Sequence, residues 1–356
     1  MNNPFSLSFG KKPEKFVSRP VQADEVVEAF TGEHIPSHAY MLVGVRGCGK
    51  TVLLSEISGR LSKDNMWQII DLNPERDMLI AFAAKLHSNP VLKPYFIHAK
   101  LDLSVLGIGV SIEDGLVISD VEAALERMLG ILTKKGYHIL VTVDEVSSTK
   151  YMKEFASAFQ ILIRQNHSLF LIMTGLYDNI NSLQNGKNQT FLYRTPKIYL
   201  EPLNITSITA AYRKTFNIDN EIAQKMAYLT RGYAFAFQVL GYLTWTINEQ
   251  GFPDSYDEFF DLVRTDYEHR LQEYVYIKLW SELSAKEQQF LKSMASHESS
   301  ASSEIRESIG MNLSEFSVYR DRLLKKGILT SYQRGSLSYA LPMFSEYINT
   351  VTGAYD

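Results

Sequence analysis

Gly44-Val45-Arg46-Gly47-Cys48-Gly49-Lys50-Thr51 is the stretch whose reading decides the fold. It fits the phosphate-binding loop pattern G-x-x-x-x-G-K-[ST], the Walker A motif. Tyr40-Met41-Leu42-Val43 ahead of it is a short apolar run that reads as a buried strand. Val52-Leu53-Leu54-Ser55-Glu56-Ile57 behind it carries apolar residues at helical spacing. Strand, glycine loop and helix together are the context the motif needs. Its glycines let the backbone curl so that several N–H groups converge on phosphate oxygens, and the positive end of the following helix adds to that field. The backbone of Gly44, Arg46, Gly47, Cys48, Gly49, Lys50, Thr51 and Val52 is therefore expected to cradle nucleotide phosphates. Lys50 would reach the β- and γ-phosphates, and the Thr51 hydroxyl would bind Mg²⁺.

A second motif lies further along. His138-Ile139-Leu140-Val141-Thr142-Val143-Asp144-Glu145 is an apolar strand ending in two carboxylates, the Walker B pattern. Alone it is common; downstream of a good phosphate loop it gains meaning. Asp144 is expected to hold Mg²⁺ and Glu145 to polarise the attacking water as general base. These motifs imply ATP or ADP with Mg²⁺ as cofactors.

Composition narrows the classes further. The 356 residues suggest two or three domains, and 45% hydrophobic with 21% charged residues describes an ordinary globular protein. A net charge of −4 excludes a chain coated in nucleic-acid-binding charge but leaves room for a local basic patch. Cys48 is the only cysteine, so no intrachain disulfide can form, which fits a reducing cytoplasm. Its place beside a helix N-terminus favours a reactive thiol that bound nucleotide would shield. The first residues lack a basic segment followed by an apolar one and do not read as a signal peptide. The longest apolar run, Tyr233 to Ile247, contains Gln238, Thr244 and Thr246 and reads as a buried helix, not a membrane span.

Taken in order, residues 1–24 carry Pro4, Pro13 and Pro20 and read as an extended arm. Residues 25–202 read as an α/β nucleotide-binding domain. Its further strands lie at Met66–Asp71, Leu169–Thr174 and Lys197–Leu200, with a hairpin-like insertion from Leu101 to Ile112. Asn73-Pro74-Glu75 and Ser119-Asp120-Val121-Glu122 read as helix starts. Residues 203–280 turn wholly helical, and 281–356 read as three helices and a β-hairpin wing, a winged helix-turn-helix.

Together these residues resemble the AAA+/STAND group of P-loop ATPases, with archaeal-type and initiator-like ATPases ending in a winged helix as the nearest likeness. The resemblance covers nearly the whole chain. It is most specific at Gly44–Thr51, at Val143-Asp144-Glu145, and from Lys325-Lys326-Gly327-Ile328 to Tyr339-Ala340-Leu341-Pro342. It implies an α/β fold: a P-loop AAA+ core with a parallel five-strand sheet, followed by a helical lid and a winged helix-turn-helix domain. It also implies that Thr174, at a strand end, contacts the γ-phosphate or the water, or is a plain strand-end hydroxyl. Arg194 would be a finger reaching a neighbouring subunit's γ-phosphate in a homo-oligomer, or a surface arginine near a turn. Phe16-Val17-Ser18-Arg19 occupies the place of an adenine-proximal segment, with Ser18 where a glycine is usual. The lid carries no sensor arginine at Gly232-Tyr233-Ala234-Phe235, and Ala234 stands where STAND members have proline; the adjacent Arg231 is a candidate substitute.

Three functions stay open on the sequence. The first is an ATP-hydrolysing switch whose lid motion passes to the winged helix. The second is a nucleotide-binding scaffold with little turnover, against which Glu145 speaks. The third is a P-loop kinase, which would need an acceptor site. DNA is a candidate partner through Arg320, Arg322, Lys325, Lys326 and Arg334. The opposing reading is protein docking, because Ser284–Thr350 holds eight Lys/Arg against seven Asp/Glu.

Overall fold

The apolar runs build one twisted sheet. The strands are β1 (Ala39–Val43), β2 (Trp67–Leu72), the two-residue β3 (Leu101–Asp102) and β4 (Leu116–Val117), β5 (His138–Val143), β6 (Leu169–Gly175) and β7 (Lys197–Tyr199). The main sheet runs β2-β5-β6-β1-β7. The pairs β2–β5, β5–β6 and β1–β6 are parallel, as buried strands separated by helices require. The computed structural model describes residues 2–8, 10, 12–109, 115–186, 190–248, 251–253, 255–296, 301–331, 333 and 335–353.

The chain divides into two compact units. One comprises Pro20–Val43 and Leu53–Ile198; the other comprises Met1–Arg19, Gly44–Val52 and Tyr199–Asp356. In the sheet unit, alternation along each strand splits the core. Met41, Val43, Val141, Val143, Leu171 and Met173 face one side, with Phe82, Leu125, Met128, Phe155 and Phe159 from the covering helices in the same cluster. On the other side Phe30 of the helix Pro20–Thr31 meets Tyr40, Trp67 and Phe170. Burying rings of this size contributes about 1.5–3 kcal/mol each.

Helix starts differ from the sequence expectation where two caps compete. Asn73 folds its own side chain onto the Glu75 N–H, so the turn closes early, and Asp77 caps the helix Met78–Ser88 instead. Asp120, one residue past Ser119, caps Val121–Lys134. The insertion is not a hairpin: β3 and β4 pair in parallel, and residues 110–112 of it lie outside the described residues.

In the other unit, the helices Ile205–Phe216, Asn220–Leu229, Ala234–Asn248 and Tyr256–Leu271 form the lid. The long amphipathic stretch then passes through a π-turn at Gln272–Tyr276. The N-terminal segment is extended but not loose. Phe5 is buried against Tyr212, Phe216 and Phe237, and Gln238 bonds the backbone of Ser6 and Lys15. A Cβ on Gly241 would stand 2.3 Å from the Phe5 ring, so only glycine admits it there. Ala285–Ser296, Ser302–Ile309 and Leu313–Lys326 are the three C-terminal helices, followed by an antiparallel pair β8 (Leu329–Thr330) and β9 (Ser338–Tyr339) and a last helix Phe344–Thr352. None of the described helices is long and apolar enough to cross a membrane.

Candidate functional site

The Walker A loop leaves the C-terminal end of β1 and enters the helix Lys50–Leu61. Gly47 and Gly49 hold φ of 75° and 97°, a region that side-chain-bearing residues rarely adopt. A Cβ on Gly47 would also come within 2.4 Å of the Tyr233 hydroxyl oxygen, so this glycine answers to packing as well as to torsion.

Every carbonyl from Gly44 to Cys48 has a donor. Lys50 Nζ gives hydrogen bonds to Gly44 O and Val45 O, both 3.0 Å. The Tyr233 hydroxyl donates to Arg46 O at 2.7 Å, and the Phe235 N–H donates to Gly47 O at 3.0 Å. The guanidinium of Arg19 donates to Cys48 O at 3.1 Å and to Glu201 O at 2.6 Å. With its acceptors occupied, the loop is left to present N–H groups, as does the first turn of the helix, whose N–H groups lack intrahelical partners. An ammonium has three N–H donors, of which Lys50 uses two here. Burial pushes the Arg19 guanidinium below its ordinary value, while nearby Cys48 and Glu201 oppose that shift.

Several of these contacts were not readable. Tyr233 and Phe235 open the lid helix and approach the loop through backbone acceptors, which leave no trace in side-chain chemistry. Arg46 pairs with Glu282 at 3.7 Å, and its carbonyl, not its side chain, meets Tyr233. Arg231 does not substitute for a lid sensor: its guanidinium donates to Tyr339 O in the wing, at 2.8 Å. The Cys48 thiol is buried, at 5% exposure, which favours the alternative of a small buried residue over a reactive site.

In the sheet unit, β5 and β6 end together, with Val143 beside Met173 and Thr174 one residue on. The Thr174 hydroxyl donates to Asp144 and accepts from the Glu145 N–H at 3.1 Å. Thr174 O also accepts from Val146 N at 2.8 Å. A hydroxyl has one proton to give, so in this arrangement Thr174 orients the carboxylate pair. Glu145 sits at φ 55°, uncommon for a side-chain-bearing residue. The three bonds from Thr174 hold that turn in place. Two residues before Asp144 on β5, Thr142 donates to Asp71 of the edge strand β2.

Arg194 is exposed at the end of the helix Thr190–Arg194. It lines a concavity of about 360 Å³ with His38, Gln160, Ile163, Arg164 and Phe191. His38 precedes β1 and Arg164 ends the helix before β6, so this is the N-terminal edge of the sheet, the edge opposite Asp144.

The basic set in the winged helix needs correction. Lys326 is buried, 8% exposed, and pairs with the buried Glu287 at 2.6 Å, so it is structural. Arg320 is offset by Asp321 at 2.9 Å. Arg322 lies half-buried over the Tyr319 ring, Lys325 is exposed, and Arg334 lies outside the described residues.

A parallel five-stranded sheet, a Walker A loop after β1, acidic residues after β5, a helical lid and a winged helix make up a P-loop AAA+ fold. Comparison with solved structures agrees. The ORC2 protein of Aeropyrum pernix, solved in ADPNP–ADP complexes, matches 98% of this chain with 97% of its own at a TM-score of 0.56 and 13% identity. Cdc6p from Pyrobaculum aerophilum covers 97% of this chain and 96% of its own at a TM-score of 0.48 and 15% identity. At 13% identity the likeness to the ORC2 protein is one of fold. Residues 273–348 match the family model described as a domain of unknown function (DUF8462). No curated protein matches the chain.

Proposed function

We propose that the chain is an ATP-hydrolysing molecular switch in which the state of the phosphate loop is passed through the lid to the winged helix. The observation that carries this reading is the loop itself: each carbonyl from Gly44 to Cys48 is occupied by Lys50, Tyr233, Phe235 or Arg19, which suits a loop whose N–H groups serve an anion. In this reading the backbone from Gly44 to Val52 holds the phosphates and Lys50 neutralises the β/γ charge. Glu145 takes a proton from the attacking water, with Thr174 fixing the carboxylate turn.

Thr51 and Asp144 are hard oxygen donors that suit Mg²⁺. Among the described residues, no group of three His, Cys, Asp or Glu could hold a metal alone, so the ion would take its other ligands from water and phosphate. When bound, Mg²⁺ neutralises charge on the phosphate oxygens. Arg194, on the edge away from Asp144, could serve only another chain's nucleotide, which makes a homo-oligomer part of the reading.

The test is purified protein with radiolabelled ATP. Wild type should bind and slowly release phosphate. Glu145→Gln should bind equally and lose hydrolysis by about 10²–10⁴-fold. Equal rates in the two proteins would overturn the mechanism.

For the output, protein docking is favoured over DNA by specific observations. Lys326 is consumed by Glu287, Arg320 by Asp321, and the helix Leu313–Lys326 exposes the apolar Leu313 and Val318. If DNA is nonetheless the partner, Arg322 and Lys325 carry the contact, and reversing both charges should abolish a low-salt gel shift of random duplex. No shift at micromolar protein in either the MgATP or the ADP state supports the protein partner.

A further inference from the structure

We infer that Tyr233 is a positioning residue of the phosphate loop: by donating its hydroxyl to Arg46 O it locks the loop in the conformation that receives phosphate and ties that conformation to the seating of the lid helix. The inference rests on the proposed nucleotide-binding role of Gly44–Thr51.

The geometry is specific. The hydroxyl reaches Arg46 O at 2.7 Å while the next helical N–H but one, that of Phe235, reaches Gly47 O at 3.0 Å. Ala234 between them faces Gly49, where an added Cβ would lie 3.6 Å from the alanine methyl. Three successive lid residues thus meet three points of one loop. Tyr233 is 4% exposed, so water does not compete for Arg46 O. Burial also pushes the Tyr233 phenol well above its ordinary value, so it remains a donor throughout the working pH range. Its ring places the oxygen where a Gly47 side chain would have to go, which fixes the residue type on both sides of the contact.

The chemistry behind the contact is simple. An anion approaching the loop is repelled by any carbonyl that turns inward. A donor holding Arg46 O keeps that dipole outward, with the Arg46–Gly47 peptide in one orientation. Displacing the lid helix would release Arg46 O and Gly47 O together. Lid position and phosphate affinity are then linked through two backbone carbonyls of the loop.

Tyr233→Phe removes one oxygen and keeps the ring. Tyr212→Phe is the control: its hydroxyl also donates to a buried carbonyl of the lid, Phe237 O at 2.9 Å, with no partner on the loop. Nucleotide affinity by fluorescent-ATP titration should weaken about tenfold in Tyr233→Phe, the size of one buried hydrogen bond, and stay at the wild-type value in Tyr212→Phe. Amide hydrogen exchange at residues 45–48 should accelerate only in Tyr233→Phe, with melting temperatures of the two variants lowered alike. Wild-type affinity and unchanged exchange in Tyr233→Phe would overturn the inference. If wild type itself fails to bind ATP, the proposed function falls, and the exchange measurement alone then judges the clamp: acceleration upholds it and its absence removes it.

Discussion

Lys50 and Lys326 are two buried lysines, 7% and 8% exposed, held in opposite ways. Lys50 is bound by the neutral carbonyls of Gly44 and Val45. Lys326 is bound by the carboxylate of Glu287, which also accepts from the N–H and hydroxyl of Ser284. Carbonyl dipoles orient an ammonium and leave its charge uncompensated; a carboxylate cancels it. The first arrangement keeps a site ready for an anion. The second spends both charges on holding the helix Leu313–Lys326 against the helix Ala285–Ser296. Both lysines sit at an end of a helix and in a motif that suggests phosphate contact, and only the partner separates them.

Substitution by methionine breaks the comparison most directly. Lys326→Met should leave Glu287 buried and unpaired and cost about 3–5 kcal/mol in urea unfolding, with ATP affinity unchanged. Adding Glu287→Leu should restore most of that loss, because a well-packed apolar pair replaces an ionic one at little cost. If Lys326→Met is stable and instead loses duplex binding, the lysine is a nucleic-acid contact after all.

Lys50→Met reverses the pattern. ATP binding should fall by about 100-fold, the loss of a charge-assisted contact, while the melting temperature stays near that of wild type. A large fall in stability without nucleotide would show that the loop depends on Lys50 for its fold.

Acid separates the two smaller terms. Burial raises the Glu287 carboxyl, but the bonds from Lys326 and Ser284 outweigh it and hold it below its ordinary value. A depressed folded pKa contributes stability that is complete above the unfolded value of about 4.3 and is lost as pH falls through the lower folded one. Stability measured from pH 6 down to 3 should therefore fall less steeply in Lys326→Met/Glu287→Leu than in wild type.

Cys48 gives the smallest effect. Because the thiol is buried, a maleimide should label it slowly with or without MgATP, far behind a free thiol at the same pH. Fast labelling that MgATP blocks would show that the loop opens often in solution, and would sharpen the role given to Tyr233.

Much of the site was legible because its parts are local in the chain. Gly47 and Gly49 announce the loop, Val143-Asp144-Glu145 the carboxylate turn, and the alternation of apolar residues the strands. Local signals failed where two neighbours could do the same job. Asn73 and Asp77, or Ser119 and Asp120, are equally good caps, and the choice falls to the one whose backbone continues into the helix.

The sequence by itself determined the five strands of the main sheet, the phosphate loop and the acidic strand end, because each rests on torsional preference, periodicity or residue chemistry within a few positions. Only the tertiary structure decided that Lys326 is paired with Glu287, that Phe5 docks beside Gly241, that Thr174 serves Asp144, and that Tyr233 holds Arg46 O across 187 positions of chain. The physical reason is the same in each case. Whether a charge, a ring or a hydroxyl faces solvent, a ligand or a buried acceptor depends on which distant group folding brings alongside it, and a backbone carbonyl looks alike at every position until something binds it.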